Sequence, residues 1–179
     1  MPRSLQRIDV KLLLDAPPQP DLDPFLLIFH RWRQRSDHPS DWVDLADYAH
    51  MPSGPGILIA GKRDTFSVNL NPPGPGLLTS VRSGLEGSLE DRFREAFRRA
   101  RGLNAAVLAE AEFPSEFQVR KGAWEVFLND RLGFPNTDAS DRIVRPALAA
   151  ALGTEPDSLE RHRIRHGRLG YSVRTDGSL

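Results

Sequence analysis

The chain has 179 residues, no cysteine, and 24 basic against 24 acidic side chains, so its formal net charge is zero. Without cysteine there is no disulfide framework, no thiolate nucleophile and no cysteine-bound zinc or iron–sulfur centre, a composition that fits a reducing cytoplasm. Zero net charge gives no general field to draw a nucleic acid, and 39% hydrophobic residues exclude an intrinsically disordered chain. Among the basic residues 21 are arginine and only three are lysine. Guanidinium forks suit carboxylate and phosphate better than ammonium groups do.

In chain order, Ile8 to Leu14 reads as a strand, with Ile8, Val10, Leu12 and Leu14 on one face. The Leu12–Leu14 run is cut by Asp15 and Pro17, too short for a secretory signal. No apolar run reaches the length that crosses a bilayer, so no membrane partner is expected. A proline-rich loop follows at 15–23. Asp23 before Pro24 predicts an N-cap, and Phe25, Ile28, Phe29 and Trp32 at helical spacing predict a helix over 24–35.

Residues 42–82 read as antiparallel strands at 42–48, 57–60, 66–70 and 77–81. Pro52-Ser-Gly-Pro-Gly56 and Pro72-Pro-Gly-Pro-Gly76 punctuate them. Ser88 with Glu90 and Asp91 opens a helix that holds its stripe to about residue 112. Phe117, Val119 and Ala123–Leu128 predict two strands joined near Lys121-Gly122. A helix over 138–152 stops at Gly153. Leu159–Arg165 and Leu169–Arg174 form a closing hairpin, within a C-terminal part (154–179) that ends in a loosely held tail. Consecutive strands without helices between them predict one α+β domain over 1–179, mainly antiparallel sheet with about three helices.

The densest polar stretch is Asp37–Gly56, with His38, Asp41, Asp44, Asp47, Tyr48 and His50. Gly54 and Gly56 permit backbone conformations closed to other residues and bring main-chain N–H groups near a ligand. No Gly-Lys-Ser/Thr follows, so the turn is not a nucleotide P-loop. Asp44 and His50 share a strand face, and Asp47 falls on the other. A metal centre needs three convergent ligands, and the spacing does not supply them, so no metal or other cofactor is expected. Asp44 and Asp47 suit a structural role, accepting N–H bonds in the turn. His50, with Asp47, is the candidate acid/base pair. Asn129, Asp130 and Arg131 offer polar groups at a strand end, for binding or for loop tethering. No Gly-x-Ser-x-Gly nucleophile occurs. His162 and His166, with Arg161 and Arg168, make the most basic short segment. Only Tyr171 lies near to stack on bases, so no nucleic-acid partner is expected.

Asp44-Leu-Ala-Asp-Tyr-Ala-His50, then Pro52-Ser-Gly-Pro-Gly-Ile-Leu-Ile-Ala-Gly61, then Asn129-Asp-Arg-Leu-Gly-Phe-Pro-Asn-Thr137 together resemble an uncharacterised family of bacterial proteins of similar length. The resemblance spans most of residues 6–150 and implies no assigned function. In that pattern a histidine and a glutamate follow the last glycine of the second motif. Here Lys62, Arg63 and Asp64 stand there.

The expectation is a domain that binds a small polar or anionic ligand at Asp44, His50, Gly54, Gly56, Asn129 and Arg131. The alternatives are a homodimeric assembly protein without catalysis and an enzyme that uses His50 as acid/base.

Overall fold

Alternation in Ile8–Leu14 and the helical stripes on either side of the strand block build the elements found in a computed structural model, which describes residues 5, 7–35, 41–51, 54–162 and 167–175. These are β1 (Ile8–Asp15), α1 (Asp23–Gln34), β2 (Trp42–Asp47), β3 (Ile57–Gly61), β4 (Asp64–Asn69), β5 (Gly76–Val81), α2 (Leu89–Leu108), β6 (Gln118–Leu128), α3 (Asp138–Leu152), β7 (Glu160–Arg161) and β8 (Gly170–Arg174). The strands form one antiparallel sheet in the order β2-β3-β4-β5-β1-β6-β8-β7. The fold is α+β, as the strand runs predict.

Local chemistry sets the helix ends. Ser88 Oγ accepts from Asp91 N at 3.2 Å and the Asp91 carboxylate accepts from Ser88 N at 3.0 Å, a reciprocal cap on α2. Gly153 closes α3 in the left-handed conformation at φ 66°. Asp23 is not the cap of α1. Leu22 holds that position, and the Asp21 carboxylate accepts from Asp23 N at 3.0 Å. Helix α2 stops at Leu108, short of residue 112. The turn beyond it carries Glu110 back to α1, where Trp32 Nε1 donates to it at 2.6 Å and Arg31 pairs with it at 2.7 Å. The two strands predicted around Lys121-Gly122 are a single strand, β6. Its pairing with β1 slips register between Leu12 and Leu14, and Gly122 takes up the irregularity at φ 69°.

All three helices pack on the sheet face that carries Val10, Leu12, Phe66, Trp124 and Tyr171. Phe29 and Trp32 of α1 meet Phe66 at 5.7 and 5.9 Å between ring centroids, and Phe97 of α2 meets Trp124 at 5.6 Å. Arg145 of α3 stacks on Tyr171 at 5.4 Å. Each of these aromatic side chains, buried to within 2% of completely, contributes roughly 1.5–3 kcal/mol. One buried ion pair ties α2 to the sheet. Arg99 donates to Asp64 at the start of β4 at 2.9 Å, to Glu95 at 2.7 Å, and to the carbonyls of Ser83 and Gly84 at 3.1 and 2.9 Å.

The opposite face carries no helix, yet it is not an ordinary wet surface. The registers join into one rung across all eight strands: Ala46–Leu58–Ser67–Leu78–Lys11–Glu125–Ser172–Glu160. Lys11 is only 2% exposed, Glu125 3%, and Asp9, two residues before Lys11 on the same face, 4%. Charged groups are almost never this buried unless they are paired, so this face needs an explanation that the apolar core does not supply.

Candidate functional site

The residues singled out from the sequence fall into two groups at opposite ends of the sheet. Gly54, Gly56, Asp47 and His50 lie at the end marked by Ile57, Val68 and Gly76. Asn129 lies at the end marked by Ile8, Val81 and Leu128, where its N–H donates to the carbonyl of Arg7 at 3.0 Å. Arg131 follows in an exposed turn, closed by Asp130 accepting from Gly133 N at 2.8 Å. The structure does not bring Asn129 and Arg131 to the 50–56 turn. Asp37, His38, Pro52, Ser53 and His166 lie outside the described residues.

Within the first group the roles are structural. Asp44 accepts from Leu45 N at 2.9 Å, and Asp47 accepts from Ala49 N at 2.8 Å, a side-chain turn of the kind Asp favours. His50 is exposed and makes no hydrogen bond or ion pair among the described residues, so Asp47 does not partner it. Gly54 presents its carbonyl to Asn71 Nδ2 at 2.9 Å. Gly56 sits at φ 75°, with its Cα so close to β4 that a Cβ would lie 1.9 Å from the Val68 carbonyl oxygen. Its glycine identity serves close backbone approach. No three His, Asp or Glu side chains are grouped as a metal set among the described residues.

Asn71 links that turn to the helix-free face. Lys11 lies across Gly76, where a Cβ would meet its Cε at 2.7 Å. Its Nζ donates to Asn69 Oδ1 and to the Asn71 carbonyl, both at 2.8 Å. Burial pushes the Lys11 ammonium down from 10.5 to about 8, against the opposing pull of Glu125. Below pH 8 folded and unfolded chains both hold the proton and the burial penalty is fully present. Between pH 8 and 10.5 the unfolded chain binds more protons, so this group makes stability rise with pH. We expect the difference in urea midpoint between the native chain and Lys11→Met to change across that window in this direction. A difference that stays flat from pH 7.5 to 10.5 would contradict it.

On the other side of Glu125 the polar groups become a site. Glu125 accepts from the Ser172 hydroxyl at 2.9 and 3.1 Å, and His162 Nε2 lies 2.7 Å from Glu125 and 3.0 Å from Ser172 Oγ. An ionised carboxylate only accepts, so Nε2 carries the proton that faces it. The His162 ring also meets the edge of Phe127 at 5.1 Å, and Arg168 covers Phe127 while pairing with Asp9. Gly170 allows this packing, because a Cβ there would meet the Phe127 ring at 2.4 Å.

His162 and Ser172 open onto a cleft of about 480 Å³, lined also by Arg145, Glu160 and Arg161. Both arginines are fixed in advance. Arg145 pairs with Asp141 at 3.1 Å and donates to the carbonyl of Pro156. Arg161 Nε donates to Asn136 Oδ1 at 2.9 Å and its Nη1 to Asp138 at 2.6 Å. Tyr171 anchors the floor by donating to Asp141 at 2.7 Å, and burial with that bond pushes its hydroxyl pKa up. The Arg161 side chain is 8% exposed, and its Nη2 has no acceptor among the described residues.

The basic segment in the sequence pointed to His162 and Arg161. No local motif marks Lys11, Glu125, Ser172 and Arg145. The available signal was the polar side of β1, where Asp9 and Lys11 alternate with the core positions.

No protein-family model, no curated protein and no solved structure matches this chain. No helix of the described residues is long and apolar enough to cross a membrane.

Proposed function

We propose that this domain binds a small anionic molecule, bearing a carboxylate or a phosphate, in the cleft between α3, β7 and β8. The observation that carries this reading is Arg161. Its guanidinium is already fixed through Nε and Nη1, and Nη2 has no acceptor among the described residues, so a ligand oxyanion there would gain strong, charge-assisted bonds at little cost in ordering. Arg145 stands beside it on the cleft wall, where Glu160 is the one carboxylate among the lining residues; Asp138 and Asp141 hold the two arginines from behind. This keeps the ligand class expected from the sequence and moves its site from the 50–56 turn to the far edge of the sheet. A cysteine-free chain suits a reducing compartment, and the cytoplasm is the location we propose.

The homodimer reading draws on β2, the sheet's terminal strand, where Val43 is exposed. Asp41, Asp44 and Asp47 are exposed along it too, and antiparallel pairing with a second copy would bring like charges together. The ligand reading is therefore preferred.

The test is thermal shift and titration calorimetry with phosphate, pyruvate and 2-oxoglutarate. At least one probe is expected to raise the melting temperature at millimolar concentration. Arg161→Gln should weaken that binding about tenfold or more, as loss of a charged hydrogen bond does. Glu160→Gln should leave it intact or tighten it. No response to any probe, or equal binding by Arg161→Gln, overturns the reading.

A further inference from the structure

An imidazole fixed through one nitrogen by a buried carboxylate, on the wall of a cleft that two arginines also line, has a chemical use beyond binding. Glu125 is 3% exposed, and it holds His162 Nε2 at 2.7 Å. Ser172 reinforces the arrangement by donating to Glu125 and standing 3.0 Å from the same imidazole nitrogen. The backbone is pinned as well. His162 N donates to the Gly170 carbonyl at 2.9 Å, and Asn136 Nδ2 donates to the His162 carbonyl at 2.9 Å. With the proton on Nε2, the lone pair of the neutral ring is on Nδ1, which has no partner among the described residues. This is the arrangement of a positioned base, held by a group that stabilises the imidazolium it becomes.

The chain offers no better nucleophile in this cleft. It contains no cysteine, and the Ser172 hydroxyl spends its proton on Glu125. A proton transfer is the chemistry these groups suit.

We propose that His162 is the base of a carbon-acid reaction: a small 2-oxo carboxylate seated against Arg145 and Arg161 gives up the proton on the carbon beside its ketone to His162 Nδ1. This rests on the anion-binding reading of the cleft and names its ligand class. The C–H electron pair moves into the C–C bond while the carbonyl pair moves onto oxygen, giving an enolate. The Arg161 Nη2 donors receive that oxygen, where charge develops. The imidazolium is held by Glu125 until it returns a proton to carbon. Charge and atoms balance without an oxidant, reductant or metal. Glu125 and Ser172 are positioning residues.

The experiment is proton NMR of pyruvate and 2-oxoglutarate in deuterium oxide with the full chain, alongside calorimetry of the same probes. We expect loss of the C3 proton signal at least tenfold faster than in buffer. His162→Gln should abolish the acceleration and keep probe binding within a few-fold. Glu125→Gln should also slow exchange, because an amide N–H can face Nε2 and drive the proton to Nδ1. Nitrogen-15 NMR of the native chain gives a readout that needs no variant, and should show His162 as the Nε2–H tautomer. Binding without accelerated exchange overturns the carbon-acid step and leaves the binding reading standing. An Nδ1–H tautomer overturns the base assignment. Absence of probe binding overturns both.

Discussion

Asp64→Ala is expected to destabilise the domain by about 3–5 kcal/mol, the range for removing one partner of a buried ion pair. The side chains of Arg99 and Asp64 are 7% and 8% exposed, so the guanidinium left behind stays in a site with little water. Glu95 and the carbonyls of Ser83 and Gly84 still accept from it, which places the effect toward the lower end of the range. For a chain of this length about 2–4 °C of melting temperature is lost per kcal/mol. Urea denaturation measures the change, and a loss under about 1 kcal/mol would show that the remaining acceptors suffice. The double variant Asp64→Leu/Arg99→Met removes both charges. It should be less damaging than Asp64→Ala alone, because the cost lies in the orphaned charge and not in the missing attraction.

Gly56→Ala should cost about 2–5 kcal/mol, combining a left-handed backbone that L-residues resist with forced displacement of a packed strand. Its Cβ would fall 1.9 Å from the Val68 carbonyl oxygen, and β3 and β4 cannot both keep their register with it there. Gly102→Ala is the control. That glycine is exposed in α2 with nothing within 4 Å of its would-be Cβ, so alanine should stabilise by roughly 0.5–1 kcal/mol. If Gly56 instead served a ligand, its replacement would spare stability and reduce binding. Denaturation and calorimetry on the same variant separate the two.

What was legible in the sequence was what depends on near neighbours. The alternation of Ile8, Val10, Leu12 and Leu14, the Ser88–Asp91 cap and the stop at Gly153 rest on residues within a few positions of one another. The structure repeats them. Asp23 misled because Asp21, two residues earlier, supplies the carboxylate. Lys121-Gly122 misled because a glycine with positive φ fits a bulge as well as a turn. The charged face was hidden for a different reason. Lys11, Glu125 and Ser172 are neighbours only through pairings across β1, β6 and β8, and no local pattern encodes those. The sequence points to a histidine with a carboxylate partner near position 50. The partnered imidazole is His162, whose carboxylate comes from a strand 37 positions earlier, at Glu125.

The place of β1 in the sheet has a consequence for synthesis. β1, which precedes every other strand described, is a central one, with Ile8 paired to Val81 on one side and Leu128 on the other. A ribosome must reach β6, more than a hundred residues further on, before that strand has both neighbours. Until then the run Ile8–Leu14 emerges as an unpaired, largely aliphatic segment, the kind that invites wrong partners. Pairings so distant along the chain also close slowly. Lys11 finds Asn69 and Asn71 early, but Asp9 meets Arg168 only after β6 is made, so that carboxylate stays hydrated through the wait and keeps the segment soluble while its neighbours are still being made.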